Sequence, residues 1–510
     1  MNLRAVGWML GQVLFLLAAF LCVPALVAWH FGEIRDLWSC LTSAGIAAVL
    51  GALLAWLNRG STLTSDGHPN YFRREGLAVV GLVWLVASVV GGLPFLFSGV
   101  MDSPVDALFE AASGFTTTGS TVMSGDSIDG MPKAISFWRS FTHWLGGFGI
   151  VMVFVVLFPT GGRSLFRSEI PGIAREAGHH RVRDSALGLL RIYFGLSAIQ
   201  FVILWAMMDS WFDAAIHTFG TLATGGFSNY SSSVAAFDSF AVEIVIVVFM
   251  LLAGLNFAIY DVMLRKGPRA GWRGIVGSLE AKTFLGMVFG STIVIGIVLW
   301  LWGGSAGVPV AELPENLEGV PDYRQLGLAM RDSLFQVVCL QTSTGYGTAD
   351  FNRWPEVCRM LLMMLCVVGA CAGSTGGGMK VVRILIVAKA ALVGVSRFVR
   401  PRAIHSIRID GQTLDPAVAS SVTGYFALWI LVFLLGTTAL SFFGIDPVSS
   451  STAVLATLNN IGPGLEVVGP TQNFGAMPDA VKLLLSLFMI LGRLEFYAVV
   501  ALFVPGFWKK

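Results

Sequence analysis

Ten long apolar runs, separated by polar connections, dominate the pattern of this chain. A helix that spans a bilayer needs about 20 predominantly apolar residues, and each run approaches or exceeds that length. The first run is too long for the apolar core of a signal peptide, and a second follows directly, so we interpret it as a membrane helix. The runs predict spans near 6–29, 39–57, 77–98, 136–158, 187–209, 236–262, 281–302, 356–393, 415–443 and 479–506.

Shorter apolar segments lie between alternate spans and carry helix-start signals. In the first, Ser103 suits the N-cap, Pro104 the first helical position and Asp106 the carboxylate of a capping box. Segments of about a dozen residues cannot cross a bilayer, so we interpret them as re-entrant helices 1 to 4, which start outside and point inward. The predicted starts of the other three are Ser210 with Asp213, Asp332-Ser333 and Asp446-Pro447.

Each re-entrant helix is followed by a glycine-bearing turn, and the four turns resemble one another. The glycines recur roughly every 105 to 120 residues, a domain-like repeat. Glycine permits backbone angles that turn carbonyls toward one axis, and a ring of carbonyls can replace the hydration shell of a cation. Four helix C-termini, each with about half a negative charge, favour a cation at the same point. The turns are Thr116-Thr117-Thr118-Gly119-Ser120, Ala223-Thr224-Gly225-Gly226-Phe227, Ser343-Thr344-Gly345-Tyr346-Gly347 and Asn460-Ile461-Gly462-Pro463-Gly464.

A simpler interpretation exists for any single turn, because glycine is common in ordinary loops between helices. Four turns in register, each after a segment with a helix-start signal, favour the carbonyl ring instead. The sequence therefore predicts a cation pathway at the meeting point of the four turns.

Composition and charge placement agree with a membrane protein. Hydrophobic residues make up 55% of the chain and charged residues 13%, against about 25% charged residues in soluble proteins. A net charge of +2 gives no field that would attract nucleic acid. The six cysteines have no metal-ligand spacing, so neither a disulfide framework nor a metal site is predicted from them. Basic connections at 59–74, 163–183, 265–273 and 397–408 alternate with acidic ones, which predicts an even number of spans and cytoplasmic termini.

The turn motifs also resemble a known family. GFTTTGSTV, TLATGGFSNY, QTSTGYGTADF and TLNNIGPGLE are similar to the four filter loops of the TrkH/KtrB/HKT superfamily of potassium transporters. The resemblance covers nearly the whole chain, includes FWRSFTHWLGGFGIVM and GACAGSTGGGMK, and is closest to bacterial TrkH-type subunits. It implies an all-α integral membrane protein with four pseudo-symmetric helix–pore helix–helix repeats around a central pore. The corresponding division is two N-terminal helices in 1–70 and repeats at 71–185, 186–275, 276–410 and 411–510.

The resemblance implies potassium uptake across the bacterial inner membrane, by a channel or symporter. It also implies a homodimer in contact with membrane lipid, and a cytosolic nucleotide-binding regulatory subunit of the TrkA type. Plant sodium-selective relatives carry serine at the first filter glycine, so Gly119 implies potassium permeation. Carried onto this sequence, the potassium ligands would be the backbone carbonyls of Thr117, Thr118, Gly119, Ala223, Thr224, Gly225, Ser343, Thr344, Gly345, Asn460, Ile461 and Gly462.

The run at 356–393 is longer than one crossing needs and is rich in glycine. Glycine costs about 1 kcal/mol inside a helix, so we expect the helix to break there. A phosphate-binding Walker A loop needs Lys after Gly and then Ser or Thr, and Met379 and Val381 break that order. A glycine-rich packing seam is one interpretation. The resemblance implies an intramembrane gate loop instead, formed by Gly373, Ser374, Thr375, Gly376, Gly377 and Gly378.

Arg493 lies in the middle of an apolar run, where a charge is costly and snorkelling does not reach. Glu495 is two residues away and faces elsewhere on a helix. We therefore expect a partner from another repeat, with the loop carbonyls around Gly373–Gly377 as candidates. The resemblance likewise implies an arginine near the gate. His143 and His217 are interpreted as packing histidines.

Two alternatives use different chemistry. A secondary transporter of another small substrate, with broken helices at the midplane, would turn helix N-termini toward an anionic substrate. The predicted caps turn C-termini inward instead. A membrane-embedded enzyme would need paired Asp, Glu or His within the spans. Glu110 and Glu243 stand isolated in the sequence, so the chain is not predicted to be an enzyme.

Overall fold

The computed structural model describes residues 1–59, 73–157, 179–302, 323–400 and 406–494, together with residues 496, 500, 502 and 504–508. Within these ranges the chain forms helices joined by turns, apart from one two-stranded hairpin. Six of the described helices are long and apolar enough to cross a membrane. The predicted all-α membrane class is therefore confirmed, and the protein is a multi-pass membrane protein. The six helices are Leu3–Phe31, Ile34–Leu57, Arg73–Ser98, His179–Met208, Leu279–Trp302 and Pro416–Phe442.

The first two helices form a pair that supports the rest of the bundle. A Cβ on Gly11 would lie 2.8 Å from the carbonyl oxygen of Gly51, so the two backbones approach closely there. In the connection between the helices, the carboxylate of Glu33 accepts the N–H groups of Lys133 and Ala134 at 2.7 and 2.9 Å. It thereby caps the helix Lys133–Leu157, because the first N–H groups of a helix have no partner within it.

Four short helices occupy the predicted re-entrant segments: Pro104–Phe115, Trp211–Leu222, Leu326–Gln341 and Pro447–Leu458. Most of their residues are buried, whereas only 11% of the most apolar 18-residue stretch of Pro416–Phe442 is buried. The short helices therefore lie in the core, and long helices such as Pro416–Phe442 present apolar outer surfaces suited to lipid, whereas Arg73–Ser98 is itself mostly buried.

Three of the four predicted helix starts are confirmed by hydrogen bonds. The hydroxyls of Ser103 and Ser210 each accept a backbone N–H three residues later, at 3.3 and 3.2 Å. The carboxylate of Asp446 accepts the N–H groups of Val448 and Ser449 at 3.0 and 2.9 Å. Hydrogen bonds from Ser449 hold the pKa of Asp446 below its usual value.

The start predicted for re-entrant helix 3 is wrong. The helix begins at Leu326, ahead of the Asp332-Ser333 pair. The carboxylate of Asp332 accepts the hydroxyl of Tyr323 at 3.0 Å, and the hydroxyl of Ser333 donates to the Thr292 carbonyl at 3.2 Å. The polar pair was therefore a buried network within a longer helix, which sequence spacing does not distinguish from a cap.

The sequence predicts one span at 236–262, and the structure shows that this stretch is not one continuous helix. The structure has two helices, Phe240–Gly254 and Phe257–Lys266, bent by 91°. The cause is local: Leu255 is extended, and the side chain of Asn256 caps the second helix by accepting an N–H at 2.8 Å.

The break predicted within 356–393 is confirmed. Glu356–Val367 ends and Val381–Val399 begins on either side of an irregular segment, here called loop 368–380. The last predicted span contains the helix Asp479–Leu494. The remaining short elements are the α-helices Gly125–Asp129, Pro268–Gly277 and Pro505–Trp508, the 3-10 helices Ser233–Phe237, Phe351–Arg353 and Glu466–Val468, and the strands Arg408–Ile409 and Gln412–Thr413.

Candidate functional site

The four turns after the re-entrant helices share one backbone geometry. The residue at the second position of each turn is left-handed, with φ between 53° and 60°, and so is the glycine at the fourth, with φ between 80° and 102°. The N–H at the third position donates to the carbonyl five residues earlier, at 2.8 to 3.0 Å. The equivalent residues are Thr116-Thr117-Thr118-Gly119, Ala223-Thr224-Gly225-Gly226, Thr342-Ser343-Thr344-Gly345 and Asn459-Asn460-Ile461-Gly462.

This geometry corrects the predicted register of the second turn by one residue. The four turn motifs of the sequence align Gly225 with Gly119. In the structure, the glycine of the second turn with a left-handed backbone is Gly226. Two adjacent glycines make the choice ambiguous from sequence, and the backbone hydrogen bonds decide it. Gly225 is needed for a different reason, because a Cβ there would overlap the ring of His143. Ala223, one of the predicted ligands, is thereby equivalent to Thr116, which precedes the left-handed residue of the first turn and is not a predicted ligand.

The four turns close into a ring. At each left-handed glycine, an added Cβ would collide with or crowd the carbonyl oxygen of the next turn, and the fourth turn faces the first. A side chain at these positions would therefore push neighbouring backbones apart. The pairs of glycine and facing carbonyl are Gly119 with Gly225, Gly226 with Thr344, Gly345 with Ile461 and Gly462 with Thr118.

The chemistry of the ring suits a cation of low charge. Its oxygens come from backbone carbonyls at the C-terminal ends of four helices, where the helix dipoles are negative. Among the residues that the structure describes, no group of His, Cys, Asp or Glu could hold a metal ion. Next to the ring lies a polar pocket of about 90 Å³, lined in part by Gly119, Gly226, Gly345 and Gly462.

A buried ion pair supports the first two turns from behind. The Arg139 guanidinium contacts the Glu110 carboxylate at 2.7 Å, and both side chains are buried. Glu110 also accepts the Val122 N–H at 3.1 Å, while Arg139 donates to the Ser228 carbonyl at 2.9 Å. The guanidinium lies over the Phe227 ring, 3.6 Å from its centroid. The pair therefore fixes the backbone that follows the first and the second turn.

The prediction that Glu110 and Glu243 are isolated is therefore wrong. Glu243 forms a two-point pair with Arg331, with both N–O distances at 2.7 Å. Both partners lie on other helices, so neither pair is visible as a sequence motif.

The two histidines pack as predicted. The Nδ1 atom of His143 lies 2.8 Å from the Gly114 carbonyl, and its ring packs on Phe227. His217 is held between the Asp213 carbonyl at 2.8 Å and the Ser228 hydroxyl at 3.0 Å.

Loop 368–380 lies directly against the third and fourth turns. The N–H of Gly377 donates to the Ser343 hydroxyl at 2.8 Å. A Cβ on Gly376 would lie 3.1 Å from the Thr342 carbonyl oxygen, and one on Gly378 would lie 3.1 Å from that of Asn459. The glycine run thus allows the loop to approach the backbone next to the ring.

Arg493 has the partner expected from another repeat. Its guanidinium donates to the Thr375 carbonyl at 2.8 Å and to the Gly146 carbonyl at 3.2 Å, and the residue is 8% exposed. Within the loop, the Lys380 ammonium donates to the Gly376 carbonyl. Glu495 lies outside the described residues.

Other anchors of loop 368–380 were missed in the sequence. The Gly373 carbonyl accepts the Phe257 N–H at 3.0 Å, and the Thr375 hydroxyl donates to the Ala253 carbonyl at 3.2 Å. Both contacts use the helix break at 255–256, so a prediction of one continuous span there conceals them. Glu280 is a further anchor. In the sequence it can be recognised only as an acidic residue at the start of a helix, which gives no sign of its contact with the loop.

Comparison with known proteins identifies the family of the chain. The sequence profile of the TrkH family, described as a cation transport protein, matches residues 47–510. The chain belongs to the TrkH family. It is 34% identical to the Trk system potassium uptake protein TrkH of Halomonas elongata and to that of Escherichia coli strain K12, over 100% of each chain. It is also similar to the crystal structure of the potassium transporter TrkH from Vibrio parahaemolyticus, with 32% identity, a TM-score of 0.85 and 100% coverage of both chains.

These comparisons confirm the predicted family and fold class. The matched relatives are transport proteins rather than enzymes, in agreement with the predicted absence of an enzyme activity. The division at 71–185, 186–275, 276–410 and 411–510 stays a prediction.

The ion pair behind the ring gives a prediction about stability. Arg139→Met leaves the Glu110 carboxylate buried without its cation, and we expect a loss of about 3–5 kcal/mol in unfolding free energy. The double variant Glu110→Gln with Arg139→Met removes both charges and should recover most of the loss. Thermal unfolding of purified protein measures both.

The control is Arg353→Met, which removes an exposed arginine paired with Asp350 at 3.3 Å. It should cost no more than about 1 kcal/mol. A double variant as unstable as the sum of its two single variants would show that the two charges do not act as a pair.

Proposed function

We propose that the protein takes up potassium across the bacterial inner membrane through the four turns, which act as its selectivity filter. One observation carries the proposal: four backbone segments of the chain close into a ring of glycines and carbonyls. The full-length similarity to relatives named Trk system potassium uptake protein supports potassium as the transported ion. The proposed ligands are the backbone carbonyls of Thr117, Thr118, Gly119, Thr224, Gly225, Gly226, Ser343, Thr344, Gly345, Asn460, Ile461 and Gly462.

The orientation of the re-entrant helices supports a cation over an anionic substrate. Their C-terminal ends meet at the ring, while the N-terminal ends of three of them are capped by Ser103, Ser210 and Asp446. A transporter that binds an anion between broken helices would present helix N-termini to its substrate. The arrangement therefore favours filter-based cation transport.

Loop 368–380 is the gate of this pathway. It lies against Ser343 and Asn459 beside the ring, so an ion that passes between the turns meets the loop next. Arg493 holds the loop there through the Thr375 carbonyl. Release of the loop opens the path. The packing-seam alternative treats the same glycines only as a close contact between helices.

A cytosolic regulatory subunit of the TrkA type controls the gate, and the protein acts as a homodimer with cytoplasmic termini. The basic connection at 265–273 supports a docking role, because Arg265, Lys266, Arg269 and Arg273 are all exposed. Most of the connection at 163–183 and part of that at 397–408 lie outside the described residues. The apolar outer helices contact membrane lipid.

The filter proposal is tested by Gly119→Ser. The new Cβ would overlap the Gly225 carbonyl oxygen, and φ of 83° disfavours any side chain, so the ring must widen. We expect reduced discrimination of potassium over sodium with folding intact. The assay is growth of a potassium-uptake-deficient bacterium at low external potassium, with rubidium and sodium flux as the quantitative readout.

Gly347→Ser is the matched control. It adds the same side chain near the pathway, but the nearest atom to its Cβ is 4.0 Å away. Selectivity should match that of the parent protein. Failure of the parent protein to support growth would reject potassium uptake, and unchanged selectivity in Gly119→Ser would reject Gly119 as a filter residue.

The gate proposal is tested by Arg493→Ala. Loss of the guanidinium frees the Thr375 carbonyl, so basal rubidium flux should rise without any regulatory subunit. Deletion of Gly376 through Gly378 should act in the same direction, and the two effects should not add because they share one element. Flux is measured per correctly folded protein.

Arg353→Ala, at an exposed position outside the pathway, controls for the loss of an arginine. It should leave basal flux unchanged. A fall in flux and yield for both gate variants is the outcome that the packing-seam interpretation predicts, and it would refute the gating role.

The assembly proposal predicts co-purification. Cross-linking in native membranes should yield a dimer, and a TrkA-type subunit should bind it through the basic connections. Replacement of Arg265, Lys266, Arg269 and Arg273 by glutamine should weaken that binding in a salt-dependent manner. Recovery of monomers alone, with no cytosolic partner, would contradict the proposal.

A further inference from the structure

Both ends of loop 368–380 converge on a single carboxylate oxygen. The Oε1 atom of Glu280 accepts the Ala372 N–H at 2.7 Å and the Val382 N–H at 3.2 Å. The two residues flank the glycine run, and Val381 adds a bond between the ends by donating its N–H to the Ala370 carbonyl at 3.1 Å. Glu280 is 9% exposed, so water does not readily replace it as acceptor.

Glu280 is positioned in turn by an exposed hairpin. It is the second residue of the helix Leu279–Trp302, and the Leu279 N–H donates to the Asp410 carboxylate at 2.7 Å. Asp410 and Gly411 form the hairpin tip with φ of 48° and 76°, as a two-residue turn with left-handed residues requires. The hairpin lies between the basic connection at 397–408 and the helix Pro416–Phe442.

The hairpin is also joined to the helix that leaves the loop. The Lys389 ammonium, on Val381–Val399, donates to the Arg408 carbonyl at 2.5 Å. The hairpin therefore contacts the helix of Glu280 and the helix that starts at the end of the loop. A displacement of the hairpin would change the distance between Glu280 and the N–H groups that it accepts.

We propose that Glu280 is the positioning residue that holds loop 368–380 closed, and that the hairpin at 408–413 sets its position from the cytosolic surface. The inference rests on the proposed function, which assigns the gating role to loop 368–380. The carboxylate forms charge-assisted hydrogen bonds to both ends of the loop, which are stronger than neutral ones. Loss of the oxygen leaves two poorly hydrated N–H groups without an acceptor and favours release of the loop.

The experiment compares Glu280→Met with Glu280→Gln in the purified full-length protein. Methionine has similar length and no oxygen, whereas glutamine keeps a carbonyl oxygen that can accept both N–H groups. Hydrogen–deuterium exchange of peptides that cover 368–382 is the first readout. We expect exchange about tenfold faster in Glu280→Met and a smaller increase in Glu280→Gln, since local opening sets the exchange rate.

Lys282→Gln is the control, because Lys282 is exposed on the same helix and should leave exchange unchanged. If Glu280→Met yields no folded protein, Glu280→Asp replaces it, because the shorter side chain withdraws the oxygen by one carbon–carbon bond. Parent-like exchange of the loop in the folded variant would overturn the anchor.

The hairpin is tested by Asp410→Ala against Asp415→Ala. Both remove a helix cap in the same part of the chain, but Asp415 caps Pro416–Phe442 and has no link to Glu280. Asp410→Ala should speed exchange in the 368–382 peptides by several-fold, and Asp415→Ala should not. Equal exchange in the two variants would overturn the hairpin's role.

Basal rubidium flux, without a regulatory subunit, is the second readout and separates the two proposals. Faster exchange with raised flux in Glu280→Met supports both the anchor and the gate. Faster exchange with parent-like flux would keep Glu280 as the anchor and reject loop 368–380 as the gate. Parent-like exchange in Glu280→Met, together with raised flux in Arg493→Ala, would reject the anchor and keep the gate.

Discussion

The close approach of four backbone segments at the central ring is the constraint on which the rest of the structure depends. Gly119, Gly226 and Gly345 face carbonyl oxygens at distances that exclude a Cβ, and Gly462 faces one that would crowd it. Neighbouring helices approach in the same way. A Cβ on Gly146 would overlap the carbonyl oxygen of Phe115, which precedes the first turn, and a Cβ on Gly492 would overlap that of Leu458, which precedes the fourth. Only short helices that stop at the centre can meet in this way, so the long helices must surround them.

Such a centre leaves polar backbone deep in a membrane protein, where unpaired groups are costly. The turns satisfy part of this demand with their own hydrogen bonds to carbonyls five residues earlier. Side chains supply more: the Asn460 amide donates to the Thr118 hydroxyl at 2.9 Å and to the Met489 carbonyl at 2.8 Å. The ion pair of Glu110 and Arg139 belongs to the same support. Because the ion pair is buried, it acts as a rigid spacer. For the same reason, loss of one partner lowers the unfolding free energy strongly.

The sequence was sufficient wherever a feature is local. Three of the four helix starts, the break within 356–393 and the general form of the turns follow from caps and glycines within a few residues. The sequence was insufficient where a feature depends on residues far apart in the chain, or where adjacent identical residues leave the choice open. Gly225 and Gly226 are indistinguishable without the backbone hydrogen bonds, and Asp332 resembles a cap until Tyr323 is brought to it by the fold. The Asp410-Gly411 dipeptide is a hairpin signal that was available and overlooked, whereas nothing in the sequence connects Glu280 with Ala372 and Val382.

Ser343 links the ring to loop 368–380, because it serves both. Its left-handed backbone places it in the third turn, and its hydroxyl accepts the Gly377 N–H. If the loop leaves, that hydroxyl loses its donor at the ring itself. Arg493 adds a second link, since its guanidinium contacts the loop at Thr375 and the helix Lys133–Leu157 at Gly146. In the proposed mechanism, opening of the gate therefore changes the hydrogen bonds of a filter residue, so gate and filter behave as one coupled element rather than as two devices in series.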